Sequence, residues 1–104
     1  MFEKDLSLAL IYDMYAPLLS EKKREAFEAY YLSDLSLAEI AEEKGTSRQS
    51  VRDLLCRTKA ELLEYEEKIG LVKKRKELLS LCDALLVASQ EEREALIPRI
   101  REIL

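Results

Sequence analysis

Apolar residues recur along this chain at intervals of three and four, and no stretch alternates apolar with polar in the manner of a strand. A repeat of about 3.6 residues is that of amphipathic helices, so the chain is predicted to be all-α. The first helix is predicted over residues 5–16, with Leu6, Ala9, Leu10, Asp13 and Met14 mostly on one face; Pro17 stops it. Ser20 is placed to cap a second helix over 21–32, whose apolar side is Ala26, Phe27, Tyr30 and Tyr31. Ser33-Asp34 then reads as a turn.

The next segment carries the most specific pattern. Ser36-Leu37-Ala38-Glu39 is a capping box, in which Ser36 and Glu39 satisfy each other's backbone donors at the start of a short helix over 37–43. Gly45 ends that helix, and Ser47 caps a long one that runs to about Lys68. Two helices cross sharply over a three- or four-residue turn only where the crossing residue is small and the turn can bend. Ala41 is the small residue, Gly45 the turn, and Val51 packs back from the second helix, with Leu37, Ile40 and Leu54 completing the wedge. This A-x3-G-x5-V spacing between two caps predicts a helix-turn-helix over residues 37–56. Gly70 interrupts the pattern, a helix follows over 71–88, and Ser89 to Glu92 reads as a second capping box opening a last helix that Pro98 should kink or restart. The expected architecture is a compact helix-turn-helix domain over 1–69, followed by a C-terminal helical extension over 70–104.

Composition supports folding: 48% of residues are hydrophobic, and only two Gly and two Pro leave room for few loops. The absence of histidine removes the commonest general base and zinc ligand; a paired-carboxylate site is conceivable at Glu64 to Glu67, but no partner base, nucleophile or glycine-rich phosphate loop accompanies it. The sequence is therefore read as that of a protein that is not an enzyme and uses no cofactor or metal. The start, Met1-Phe2-Glu3-Lys4-Asp5, lacks the features of a signal peptide, and no window is apolar enough for a membrane span, so a cytoplasmic protein without membrane contact is expected. Cys56 and Cys82 form no C-x-x-C pattern and are read as reduced thiols, one partly exposed and one in a core.

Charge changes the picture locally. The net charge is −4, the wrong sign for a general polyanion binder. Yet between Lys44 and Ala60 stand Lys44, Arg48, Arg52, Arg57 and Lys59 against Asp53 alone. A basic stripe in an acidic chain marks one contact surface for phosphate. On the second helix of the pair, Val51, Leu54, Leu55, Thr58 and Leu62 share a face that should be buried. Arg48, Gln49, Arg52, Cys56 and Lys59 share one that should face outward. Arg48 suits the O6/N7 edge of guanine and Gln49 the N6/N7 edge of adenine. Thr46 and Ser47, with free N–H groups at the helix start, are placed to hold a phosphate, and Arg52, Arg57 and Lys59 to position the module on the backbone. Asp53 beside this face opposes phosphate.

Residues 27–69 resemble the YlxM-type small bacterial proteins, on three pieces: YY…D-x-S-L-A-E-I-A-E-E at 30–43, S-R-Q at 47–49 and R-T at 57–58. The segment YDMYAPLL at 12–19 fits the same family's opening helix and turn. The resemblance implies a fold like the promoter-reading region 4 of sigma-70 factors, a regulatory role in the signal recognition particle pathway, and a homodimer. Duplex DNA is thus the expected partner, with RNA beside it. The alternative is a protein-interaction module that binds polymerase or signal recognition particle components, or that particle's RNA, without sequence-specific DNA binding.

Leu71, Leu78 and Leu85 recur every seven residues with Leu81 and Ala88 between them, which fits either a dimer seam or a helix packed on its own domain. The run Lys73-Lys74-Arg75-Lys76 reads as a solvated face with phosphate or RNA contact as the second reading, and Glu64 to Glu67 as the exposed far end of the long helix. Tyr12, Tyr15, Tyr30 and Tyr31 read as core residues with bonded hydroxyls.

Overall fold

The computed structural model describes residues 6–104. They form six α-helices and no strand: α1 Leu6–Tyr15, α2 Glu21–Phe27, α3 Leu37–Lys44, α4 Arg48–Ile69, α5 Leu71–Leu86 and α6 Gln90–Ile103. The chain divides into two compact units, Met1–Ile69 and Gly70–Leu104.

In the first unit α1 stops at Tyr15 because Pro17 disfavours helical backbone before it, and Ala16–Leu18 close into a single tight 3-10 turn. Its predicted start at Asp5 lies outside the described residues. The predicted phase is corrected: the face turned inward is Leu8, Ile11, Tyr12 and Tyr15, while Leu10 and Asp13 are exposed. This helix is apolar nearly all round, so its sequence admits two stripes, and the one with both tyrosines removes more area from water. Both hydroxyls are satisfied there. Tyr12 donates to Glu28 Oε1 at 2.8 Å and Tyr15 to Glu66 Oε1 at 2.7 Å. Tyr12 stacks on Phe27 (4.2 Å between ring centres), Phe27 on Tyr31 (4.5 Å), and Tyr30 meets Tyr31 edge-on at 5.0 Å.

Ser20 caps α2 as predicted, accepting from the Lys23 N–H at 3.3 Å. The helix does not stay α-helical to Leu32. Glu28–Leu32 widen into a π-turn, with Ser33 N–H bonded to Glu28 O at 2.9 Å, and Asp34 follows with φ 55. Short acidic side chains tolerate that left-handed backbone better than most.

The helix-turn-helix core lies between α2, α3 and α4. Ala26, Tyr30, Ile40, Ala41, Val51, Leu54 and Leu55 form one buried cluster, with Leu35, Leu37 and Tyr31 packed on its rim. Ile40 and Leu55 are fully buried, each contributing about 1.5–3 kcal/mol. Thr58 is also fully buried; its hydroxyl turns back to the Leu54 carbonyl at 2.8 Å, which leaves its methyl for packing.

In the second unit α5 packs on α6. Its buried side chains are Val72, Leu81 and Ala88; Leu78 and Leu85 are half-buried and Leu71 is exposed. Gly70 opens it with φ 73, a left-handed conformation that costs glycine little. Ser89 caps α6, accepting from the Glu92 N–H at 3.3 Å. The restart expected at Pro98 does not occur: α6 continues through it to Ile103. Pro98 is exposed, so water can reach the carbonyl whose helical bond the ring removes. Cys82 is corrected too. Both thiols are free and exposed, and neither lies in a core, because a two-helix unit has too little depth to cover the residue next to Leu81. No described helix is long and apolar enough to cross a membrane.

Candidate nucleic-acid interface

The turn that aims α4 is built from local bonds. Ser36 and Glu39 form the full capping box: Ser36 Oγ accepts from the Glu39 N–H and Glu39 Oε1 from the Ser36 N–H, both at 3.1 Å. At the other end Gly45 takes φ 65, ψ 38, which lets the Thr46 N–H reach back to Ala41 O at 2.9 Å and the Gly45 N–H to Glu42 O at 3.3 Å. This is the six-residue closure of a Schellman cap. It also corrects one expectation: the Thr46 N–H is spent on the turn and is not free for a phosphate. Ser47 Oγ accepts from the Ser50 N–H at 3.0 Å and so caps α4. The N–H groups of Arg48 and Gln49 fall in the first turn, where a helix leaves donors unpaired by its own carbonyls.

From that start α4 divides into the two faces its sequence predicts. Val51, Leu54, Leu55, Thr58 and Leu62 are buried. Arg48, Gln49, Arg52, Cys56 and Arg57 are exposed and Lys59 is half-buried. At about 100° per residue, Arg52 and Lys59 lie within about 40° of Arg48, whereas Arg57 lies about 180° round the helix from it. The structure therefore gathers Arg48, Arg52 and Lys59 along one flank and sets Arg57 on the other. Gln49 and Cys56 lie between the flanks. Gln49 is not free: its amide donates to Asp53 Oδ1 at 2.9 Å, a side-chain pair across one helical turn.

The flanks differ in what surrounds them. Arg48 borders an open groove of about 480 Å³ that also takes in Tyr30, Asp34 and Glu39. Arg57 borders a cleft of about 300 Å³ shared with Lys22, Lys44, Thr46, Ser50 and Asp53. Lys22 is not among the contact residues that the sequence predicts, and Lys44 stands in the predicted basic stripe without an assigned contact. They come from α2 and the end of α3, and only the packing of three helices brings them beside Arg57. Lys44 Nζ pairs with Glu25 Oε2 at 3.1 Å.

Farther along, α4 is tied into the first unit. Lys23 pairs with Glu61 at 3.1 Å, and Tyr65 and Glu66 are half-buried against Tyr15, through a ring pair at 5.9 Å and the 2.7 Å hydrogen bond. The acidic cluster at 64–67 is thus not a wholly exposed end; only Glu64 and Glu67 face solvent. Burial pushes the phenols of Tyr12 and Tyr31 up from their ordinary range, with the Glu28 hydrogen bond adding to it at Tyr12. The Tyr31 hydroxyl, expected to be bonded, is buried without a partner among the described residues.

Known proteins match this chain along nearly its whole length. The family described as "Putative helix-turn-helix protein, YlxM / p13 like" matches residues 2–103. The UPF0122 protein YlxM of Bacillus subtilis is 42% identical over 106 residues, covering 97% of this chain and 96% of that protein. A UPF0122 protein of Shouchella clausii is 44% identical over 108 residues, with 99% of each chain covered. One from Symbiobacterium thermophilum is 49% identical over 78 residues, or 75% of this chain and 73% of its own.

Proposed function

Since the chain belongs to the YlxM / p13-like helix-turn-helix family, we propose that it is a DNA-binding regulatory protein that lays α4 in the major groove. The observation that carries this reading is the division of α4. One face is buried in the three-helix core, and the other presents Arg48, Gln49 and Arg52 to solvent beside the turn. A recognition helix reads base edges with its first residues. Arg48 is the guanine reader and Gln49 the second reader; Ser47 and the first-turn N–H groups meet a phosphate, and Arg52, Arg57 and Lys59 hold the backbone. Thr46 contributes its hydroxyl only. The acting form is taken to be a homodimer in the cytoplasm, with RNA as a second nucleic-acid partner.

A second reading, a module that binds polymerase or signal recognition particle components, is favoured by charge. The chain carries −4 overall, and Asp34 and Glu39 stand beside Arg48. Binding selection from random duplexes separates the two. The DNA reading expects an enriched motif that relaxes when Arg48 and Gln49 are changed to Ala. No motif from the intact protein would remove base readout, and a motif that survives both changes would remove these readers. Structured RNA compared at the same salt decides between nucleic acids, since a strong RNA preference would overturn duplex DNA as the target.

A further inference from the structure

We infer that the cleft between α2, the Gly45 turn and α4 is a phosphate seat, in which Lys22, Lys44 and Arg57 hold a backbone phosphodiester of duplex DNA. The inference rests on the DNA-binding reading above and adds two residues, Lys22 and Lys44, and a second line of backbone contact to it.

Three cations from three separate helices converge on one cleft of about 300 Å³, with the hydroxyls of Thr46 and Ser50 beside them. Only one carboxylate, Asp53, lines the same space, and it already accepts from Gln49. The lining thus carries three positive charges against one negative in a chain whose net charge is −4. Like charges gathered in a concave site raise the local potential and concentrate anions there. Neither Lys22 nor Arg57 has an ion-pair partner among the described residues. Lys44 has one, Glu25, but that carboxylate is 55% exposed, and a pair of this kind contributes little and yields readily to a better anion. Glu25 therefore occupies one of the three cations until a phosphate displaces it.

Position identifies the ligand. The base-reading residue Gln49 lies between two flanks of α4, with Arg48, Arg52 and Lys59 on one and the cleft on the other. The major groove is about 12 Å wide and admits one helix, so a helix seated in it faces a phosphate strand on each side. The Arg48 flank reaches one strand. The cleft at Arg57 meets the other, with Lys22, Lys44 and Arg57 lining it against Asp53.

The test uses the full chain and a fixed duplex, with binding measured by fluorescence anisotropy over a series of salt concentrations. Lys22 and Arg57 are exposed, so changing both to Ala leaves the fold intact, which circular dichroism checks. The double change is expected to weaken a selected duplex and a scrambled one by the same factor. It should also make the slope of log K against log salt shallower by about 1, for the one phosphate that is no longer neutralised. Glu25→Gln is expected to tighten binding, because Lys44 is released. If the intact protein binds duplex and the double variant keeps its affinity and slope, the seat is refuted while DNA binding stands. If the intact protein binds no duplex, both fall. Inorganic phosphate alone, at constant ionic strength, supplies the last arm. A phosphate-dependent rise in melting temperature that the double variant loses, with the duplex slope unmoved, would assign the cleft to a free phosphate compound and overturn the backbone assignment.

Discussion

Gly45→Ala isolates the conformational demand of the helix-turn-helix from its packing. At φ 65 and ψ 38 an L-residue brings its Cβ too close to the following carbonyl, at a cost of about 1–2 kcal/mol. A Cβ built at Gly45 meets nothing within 4 Å, so no clash adds to that figure. Alanine also narrows the unfolded ensemble, which returns about 0.4–1 kcal/mol. The net loss expected is about 1 kcal/mol, a fall of about 4–8 °C in melting temperature for a unit of this size. The chain has five tyrosines and no tryptophan, and the tyrosines (12, 15, 30, 31 and 65) all lie in the first unit. Tyrosine fluorescence therefore follows that unit alone during urea or thermal unfolding. Gly45→Asn should cost less than Ala, because asparagine tolerates left-handed backbone, and Gly45→Val should cost more. Equal losses for all three, or a loss above about 3 kcal/mol for Ala, would show that space and not backbone conformation selects glycine here.

Two expectations concern pH. The raised phenols of Tyr12 and Tyr31 favour the protonated folded state, so their contribution is whole below the ordinary tyrosine value of 10.0 and is lost as pH rises beyond it. Unfolding should become easier above about pH 10, and Tyr12→Phe should lessen that dependence while losing about 1 kcal/mol at neutral pH with its bond to Glu28. Lys68, 2.7 Å from Glu64 one turn earlier in α4, holds that carboxyl below its ordinary value of 4.5. Any stability it lends is present above that value and lost as pH falls through the lower folded one; for so exposed a pair, the readout is the Glu64 carboxyl resonance. Lys68→Ala should return its titration toward 4.5 with the unfolding midpoint unmoved.

Features set by a residue and its immediate neighbours are legible in the sequence. Ser20, Ser36, Ser47 and Ser89 each cap the helix they precede, and Gly45 takes the left-handed turn. These choices depend on backbone groups within three residues, so the local residue order is enough to place them. The division of α4 is legible because its polar and apolar residues separate strongly at helical spacing. The inward face of α1 is not, because apolar side chains surround that helix and only its packing on Phe27 and α4 selects Tyr12 and Tyr15. The π-turn at Glu28–Leu32 has no residue signature. At the candidate interface the exposed basic residues of α4 are readable. Lys44 is legible only as part of the basic stripe and Lys22 not at all, since their meeting with Arg57 depends on how α2 and α3 pack against α4. The burial of Glu66 by Tyr15 has the same origin, a contact spanning 51 positions.

Under the proposed DNA-binding reading, the bond between Gln49 and Asp53 bears on what α4 distinguishes. A carboxylate oxygen accepts, so the bond orients the amide: one N–H is given to Asp53, while the carbonyl oxygen and the second N–H stay clear of that bond. The side chain keeps its acceptor and a second N–H donor, but it no longer turns them freely as a pair. The carbonyl oxygen complements an exocyclic amine, and adenine and cytosine both present one in the major groove. Discriminating between those two bases calls for an N–H aimed together with the carbonyl, and the bond to Asp53 restrains how that pair is aimed. On the DNA-binding reading proposed above, the carboxylate thus restrains how this position aims its amide, apart from its repulsion of phosphate.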